Sequence, residues 1–541
     1  MERFICTIFI VLLLLPLAGM LLRQPEQYSP SDGRVLKVLP TAPRDLDQWS
    51  EYPAALKDYV SDHFAGRHWL RDLNARTKMA AGVSTRPGEV LIGNDGWLFH
   101  IEVLGGDISR FKDALADPIK RYFQHANRIA KEAEIPMVLA MVPHKVQMYP
   151  EYLPVDYRVE DTQYHQDIIS QRIQADTDIN IVELLPVLLE EKKALSSAGK
   201  DICFKHDTHW NMYGANAAQF AIAQELARHI EISPYKIPQN EFYLKSSTEE
   251  VYRANAQVNK FFSYENRLAN LLGLKREWTE AYPLPGFMRD SKITMERQSK
   301  FRILHTEGAP NLRALVIHDS GFIGLAPYFS QYFSETLYWW TAAPSLLEFG
   351  QIIGIYQPDI IVWQTSQNSI ASSGFQAMLP IRLEEFEAVR GKNPESTGWV
   401  QVYRWSKETV LYGDIMPGKG ATPALTATST ASPQKKRDLL TLPQHISDSI
   451  SGKRVKVALE VESRSDKFIQ FFGVDFSSAK RKCPCVRRIA VGKDQQLSEV
   501  IFMLPEKQIE QDQITISSTG GSNLEDLKVQ SISIFVENDP G

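Results

Sequence analysis

Cysteine is scarce in this chain of 541 residues: there are four, Cys6, Cys203, Cys483 and Cys485. Two stand close together as Cys483-Pro484-Cys485, but no second close pair matches them, which argues against a structural zinc site. The thiols are read either as free or as one bridge from Cys203 to the close pair, if the compartment is oxidising. Charge excess is also absent. Lys and Arg total 60 against 65 Asp and Glu, the formal net charge is -5, and no basic stripe marks a face for nucleic acid. There is no internal repeat, which sets aside solenoids and propellers.

Long apolar runs are lacking too, with one exception. After Arg3, the stretch Phe4 to Leu22 carries no charge and has only Thr7 as a polar residue. Such a run lies at the lower edge of what spans a bilayer, roughly 17–25 residues, and exceeds a secretory core of roughly 7–15. Residues 1–22 therefore read as a signal-anchor that stays in place, with a cleaved signal peptide as the alternative. No second run comes after it, so the rest is expected on one side of the membrane. That side is read as the periplasm, with the inner membrane holding residues 4–22.

With 43% hydrophobic and 23% charged residues, the chain has an ordinary globular balance and is long enough for two or three domains. Residues 23–48, rich in Pro, Asp and Arg, read as a spacer. An α/β rhythm then occupies 49–413. Helices are expected at 49–78, 117–134, 212–229 and 345–356, and short apolar strands at 137–142, 179–182, 312–317 and 359–363. Alternation of this kind predicts a parallel sheet covered by helices on both faces, with chemistry at the carboxyl ends of the strands. Residues 232–300 fit the rhythm poorly and read as an insertion. Residues 414–442, rich in Pro, Gly, Ala, Ser and Thr, read as a linker. From 443 to 541 closely spaced strands without helices predict a β-sandwich.

Two segments carry candidate chemistry. In Val316-Ile317-His318-Asp319-Ser320-Gly321-Phe322 a strand ends and a serine stands in the turn beyond it. Its hydroxyl would be exposed at the sheet edge, and the amides of the turn near Ser320 and Gly321 could hold an oxyanion. A serine there could equally cap a helix. A nucleophilic serine needs a base, and a base needs an orienting acceptor. The segment His206-Asp207-Thr208-His209-Trp210-Asn211 offers both. Asp207 and His209 are two apart and share a side of an extended segment. His206 is the competing base, a helix-capping cluster is the bland reading, and a metal site from His206, Asp207 and His209 is a further one. No other ligand cluster accompanies that last reading, so neither metal nor cofactor is expected.

Six short elements, in order, resemble a known family: Asp62-His63-Phe64, Gly96-Trp97-Leu98-Phe99, Val142-Pro143-His144-Lys145, Tyr149-Pro150-Glu151-Tyr152-Leu153-Pro154, Asp207-Thr208-His209-Trp210-Asn211 and His318-Asp319-Ser320. They are similar to the SGNH hydrolase-like proteins of the alginate O-acetyltransferase type (AlgJ and AlgX), over about residues 45–410. The resemblance implies an SGNH-like parallel sheet, with Ser320 as nucleophile, His209 as base and Asp207 as its orienting partner. Where the family commonly has acidic and Arg residues, this chain has Gln364-Thr365-Ser366-Gln367-Asn368, so Gln364 and Asn368 are expected to face the sugar. Lys145 and Tyr149 come after a strand end and are read as reaching the cleft. Trp97, and with it Trp210 and Trp363, is read as a sugar-stacking candidate, core packing being the alternative. The β-sandwich is similar in placement to a carbohydrate-binding module, although Phe468, Phe471, Phe472, Phe476 and Phe502 read more readily as core than as sugar platforms.

The expected activity is O-acetyl transfer to hydroxyls of an exopolysaccharide through an acetyl-serine. The partners implied are the polysaccharide acceptor, a membrane-bound O-acyltransferase as acetyl donor, and other exopolysaccharide secretion proteins. A polysaccharide acetylesterase using the same triad and a non-catalytic polysaccharide-binding scaffold are the rival readings.

Overall fold

The computed structural model describes residues 19–20, 28–29, 34–43, 45–100, 114–157, 164–176, 178–246, 268, 279–283, 293–298, 301–322 and 325–390, and in the C-terminal part residues 399–406, 410–412, 436–441, 454–463, 470–478, 487–491, 496–503, 512–519 and 527–537. The expected anchor falls almost wholly outside these residues. Among them, no helix is long and apolar enough to cross a membrane.

A seven-stranded sheet organises the α/β part. Its strands are β1 (Met137–Val142), β2 (Asn180–Glu183), β3 (Ile293–Gln298), β4 (Phe301–Thr306), β5 (Arg313–His318), β6 (Glu335–Trp340) and β7 (Ile360–Ser366). The spatial order is β2-β1-β7-β5-β6-β4-β3. The first five in that order run parallel; at one edge β4 pairs antiparallel with β6, and β3 antiparallel with β4. Of that edge, β3 lies in the stretch read as an insertion and β4 just past it. In the same stretch Phe242–Ser246 pairs antiparallel with Thr279–Pro283 as a two-stranded sheet.

Strand periodicity divides the core into two layers. Val138, Ala140 and Val142 of β1, Ala314 and Val316 of β5, and Ile360 and Val362 of β7 face one layer. Met137, Leu139, Met141, Leu315, Ile317, Ile361 and Trp363 face the other. A strand buried on both faces must be apolar throughout, which is why these segments are continuous apolar runs. In chain order the longer helices are α1 (Leu46–His63), α2 (Arg67–Ala80), α3 (Ala116–Glu132), α4 (His165–Asp176), α5 (Leu184–Ser196), α6 (Met212–Leu226), α7 (Leu346–Tyr356) and α8 (Ser373–Arg390). Helices α5 and α6 cover the first layer, and α3, α4, α7 and α8 the second. Helix α3 shows the logic: Ile119, Tyr122, Phe123, Ala126, Ile129 and Ala130 recur at three- and four-residue steps and are all buried. The single helix expected at 49–78 is two, because Gly66 adopts a left-handed φ of 88° between α1 and α2.

The C-terminal part consists of two antiparallel sheets. One has five strands, including Trp399–Ser406, Val410–Tyr412, Arg454–Ser463, Gln496–Met503 and Leu527–Glu537. The other has four: Lys436–Thr441, Gln470–Ser478, Arg487–Val491 and Asp512–Thr519. Val455, Val457, Leu459 and Val461 are buried at every second position, as in a sheet with one face on a core. The boundary differs from the expectation. Trp399–Ser406 pairs with Leu527–Glu537, and Lys436–Thr441, inside the expected linker, pairs with Asp512–Thr519. These partners lie far downstream, beyond any local pattern. This part also touches the α/β unit: the Ala490 amide donates to Gln351 Oε1 of α7 at 3.0 Å.

Trp363 is fully buried, with Tyr122, Phe123 and Phe349 packed around it at ring separations of 5.7, 5.6 and 5.4 Å. It is core and cannot stack on a sugar. Trp363→Ala is expected to lower the unfolding free energy by about 3–5 kcal/mol, measured from the shift of a urea denaturation midpoint at unchanged slope.

Candidate active site

The site lies at the carboxyl ends of β1, β5 and β7, three adjacent strands. Beyond β5, Ser320 opens a single turn, Ser320–Phe322. Its shape is set by Asp319, 8% exposed and tied on every side. Asp319 Oδ1 accepts from the Gly321 amide at 2.8 Å and from Gln364 Nε2 at 2.9 Å. Oδ2 accepts from the hydroxyls of Ser366 and Ser369, each at 2.5 Å. The Asp319 amide returns a bond to Gln364 Oε1 at 3.1 Å. Gln364 is therefore buried and braces the nucleophile turn; it does not face a sugar. The Gly321 amide, expected to hold an oxyanion, is already spent on Asp319.

The second loop folds back on itself. Cys203 and Trp210 form an isolated antiparallel bridge, and the Phe204 amide donates to the His209 carbonyl at 3.1 Å. The tip thus carries Asp207 and His209. His209 Nδ1 donates to Asp207 Oδ1 at 2.5 Å, and the His209 amide donates to the same oxygen at 3.1 Å. With Nδ1 protonated, Nε2 of the neutral ring is an acceptor, and the Ser320 hydroxyl stands 2.9 Å from it. The cap of α6 is Asn211, whose Oδ1 accepts from the amides of Tyr213 and Gly214 at 3.0 and 3.3 Å. Asp207 and His209 are thus not needed as caps, and it is His209, not His206, that meets Ser320. Gly214 permits the close seating of this helix, since a Cβ there would lie 2.4 Å from the Ile202 carbonyl oxygen.

Lys145 does not reach the cleft. It is 1% exposed. Its ammonium donates to four carbonyls: Leu98 at 2.9 Å, Phe204 at 2.5 Å, Lys205 at 3.0 Å and Asp207 at 2.9 Å. It also lies 4.7 Å from the centre of the Trp97 ring and 5.2 Å from that of Phe99. Burial pushes this ammonium down to about 7, while the nearby Cys203, Asp207 and Asp201 act in the opposite sense. The four carbonyls favour the charged form, which alone has three protons to give. Tyr149 is buried as well, accepting from the Ile202 amide at 2.8 Å. Trp97 stacks 4.3 Å from Tyr149 and 4.6 Å from Tyr152. These residues were expected at the sugar; they form instead the scaffold beneath the loop that carries His209. Asp62 and His63 are likewise structural, holding the amide and the carbonyl of Lys37 at 2.9 and 2.7 Å.

A cleft of about 410 Å³, part of it open solvent, is lined by Val142, Pro143, His144, Met148, Thr208, His209, Trp210, Ser320, Gly321, Ser366 and Asn368. Of the seven positions expected at the sugar, Asn368 and Trp210 line it. Cys203 is a buried free thiol packed 3.8 Å from the Met148 sulfur. Cys6, Cys483, Cys485 and Phe468 lie outside the described residues, as do the side chains of Phe471, Phe472, Phe476 and Phe502. Sequence reasoning had no role for Asp319, Ser366 or Ser369. Asp319 did stand in a quoted motif, and the two serines lie at and just past the end of β7, the strand neighbouring β5.

Residues 90–311 match the family described as "SGNH hydrolase-like domain, acetyltransferase AlgX". The match includes Asp207 and His209 and ends before Ser320. Over 145 residues the chain is 29% identical to the probable alginate O-acetylase AlgJ of Pseudomonas fluorescens, covering 26% of this chain and 34% of that one. Over 213 residues it is 28% identical to the protein of the same description from Pseudomonas aeruginosa, covering 37% of this chain and 49% of that one. It thus spans between a third and a half of the length of these relatives. A solved structure, PatB1 of Bacillus cereus, aligns at a TM-score of 0.39 and 16% identity over 53% of this chain and 98% of that one. The α/β part is an SGNH hydrolase-like domain. Over residues 90–311 it is similar to the AlgX acetyltransferase type, a shorter span than the six motifs implied.

Lys145→Met is expected to leave carbonyls without donors beneath the base loop. It should cost about 3 kcal/mol or more. It should also slow turnover of a chromogenic acetyl ester about 10²-fold through misplacement of His209, with Tm and kcat measured on the same preparation.

Proposed function

We propose that this protein is an O-acetyltransferase that loads an acetyl group on Ser320 and passes it to a hydroxyl of an exopolysaccharide, alginate-like in class. The observation that carries the reading is the continuous relay from Asp207 through His209 to Ser320, at 2.5 and 2.9 Å, opening on a small cleft. As Ser320 Oγ attacks the acetyl carbonyl, its proton passes to His209 Nε2. Asp207 holds Nδ1–H and stabilises the imidazolium that forms. Collapse of the tetrahedral intermediate expels the donor's alkoxide, which takes the proton from His209 and leaves acetyl-Ser320. A sugar hydroxyl then repeats the sequence in reverse, giving its proton to His209.

Asn368 supports a sugar acceptor. Its side-chain oxygen is buried in the cleft wall with no hydrogen-bond partner among the described residues, where a hydroxyl could donate to it. Water is the competing acceptor, so transfer over hydrolysis rests on a bound sugar that excludes it. The wider setting is proposed on the same footing: a periplasmic location with residues 4–22 in the inner membrane, a membrane-bound O-acyltransferase as acetyl donor, other secretion proteins as neighbours, and the β-sandwich as the module that holds polymer.

The test measures acetate release from a chromogenic acetyl ester, with and without uronic-acid oligosaccharides of increasing length. Acetylated oligosaccharide is the expected product; acetate alone, whatever the acceptor, would identify an esterase. Ser320→Ala and His209→Ala are expected to abolish turnover, and Asp207→Ala to lower it by on the order of 10⁴-fold. His206→Ala is expected to stay near the parent rate. A dead His206→Ala beside an active His209→Ala would mean the base is misassigned.

A further inference from the structure

The attack on an acetyl carbonyl puts a full negative charge on its oxygen, and a site that accelerates the step places hydrogen-bond donors there in advance. Three donors of this cleft already have partners in the wall itself. The Gly321 amide is given to Asp319 at 2.8 Å, and the Ser366 hydroxyl to the same carboxylate at 2.5 Å. The Thr208 hydroxyl lies against Asp207 Oδ1 at 3.5 Å and His209 Nδ1 at 3.3 Å. Two ring nitrogens differ. His144 Nε2 and Trp210 Nε1 belong to residues lining the cleft, are buried, and have no hydrogen-bond partner among the described residues. These residues are 2% and 3% exposed. An unpaired N–H so placed costs free energy unless a ligand meets it.

The tautomer of His144 is fixed by its own turn. The Val146 amide donates to His144 Nδ1 at 3.3 Å, so Nδ1 carries no proton and Nε2 does. The ring is held from behind as well: the His144 amide donates to Gln147 Oε1 at 2.8 Å, and Gln147 Nε2 reaches Asp167 at 3.3 Å. Burial, then the neighbouring His100 and Lys145, holds the imidazole down to about 3, so the ring stays neutral at working pH and keeps its one N–H. The indole of Trp210 needs no such argument, since its nitrogen is a donor only.

We propose that His144 Nε2–H and Trp210 Nε1–H form the oxyanion hole of this site. The inference rests on Ser320 being the nucleophile. In the step concerned, the Ser320 Oγ–C bond forms, the carbonyl π pair moves onto oxygen, and the serine proton goes to His209. The two ring N–H groups bind the new oxyanion without giving up their protons. The pair then returns to carbon and the ester C–O bond breaks, its alkoxide leaving with the proton from His209. Both donors are side chains from separate segments of the cleft wall: His144 at the end of β1, and Trp210 beside the base.

The test uses p-nitrophenyl acetate with the full chain and reads the rate at which acetyl appears on Ser320, by rapid quench and intact mass. His144→Ser keeps an oxygen that can accept the Val146 amide, and so the cap, but carries no donor into the cleft. Trp210→Phe keeps an aromatic ring and loses the N–H. Each is expected to acylate about 10²–10³-fold more slowly, with KM near the parent's, and His144→Gln, which returns an N–H, is expected to recover part of the loss. A melting temperature near the parent's in at least one slow variant separates this from unfolding. Parent-like acylation by either His144→Ser or Trp210→Phe overturns the pair as the oxyanion hole while leaving Ser320 in place. Absence of acetyl on Ser320 in the parent itself overturns the nucleophile, and the inference with it.

Discussion

A single buried ammonium organises the site. Lys145 leaves the end of β1, enters the protein and is met by carbonyls from the short strand Leu98–His100, at Leu98, and from the loop at Phe204, Lys205 and Asp207. Carbonyls that converge on one point repel one another; a cation with three protons reverses that sign. The loop is curled around the charge, and Asp207 and His209 stand where the curl puts them. Transferring such an ion out of water costs several kcal/mol, and hydrogen bonds to a charged donor return about 1.5–3 kcal/mol each. Each carbonyl lost reduces that return, so the strand at Leu98, the end of β1 and the loop hold one another.

The serine side is organised by charge of the other sign. Asp319 gathers donors from its own turn and from the end of β7, and in doing so fixes Ser320 by its immediate neighbours. The two halves of the relay are thus held by separate polar centres, each buried and each with partners. They meet in the 2.9 Å contact between His209 and Ser320. Nothing in that contact alone could set the geometry, because a single neutral hydrogen bond contributes only about 1 kcal/mol net.

Much of the frame was legible in the sequence. The strands β1, β5 and β7 are doubly buried and announce themselves as apolar runs, and Asp207, His209 and Ser320 stand in short motifs at strand and helix ends. Other features were not legible, for identifiable reasons. The strand β6, Glu-Thr-Leu-Tyr-Trp-Trp, opens with polar residues and carries aromatics that suit a helix or a loop as well. Lys145 looks like a surface lysine until the four carbonyls that receive it are assembled from distant segments. Trp97, Tyr149 and Trp363 have the chemistry of sugar platforms, and burial alone decides otherwise. Gln364 departs from the family pattern, and its role is clear only once Asp319 is seen to need a donor.

The pairing of the C-terminal sheet has a consequence for how the chain reaches this state. Leu527–Glu537 lies between Trp399–Ser406 and Arg454–Ser463 and is bonded to both. The five-stranded sheet therefore stays split in two until its last-made strand arrives. Contacts of such long sequence separation form slowly, because loop closure must precede any gain from them. During that interval two strand edges that will later be interior are open to other chains. A nascent chain of this protein is thus most prone to aggregate late, when the α/β unit can already be complete and the sheet beside it is not.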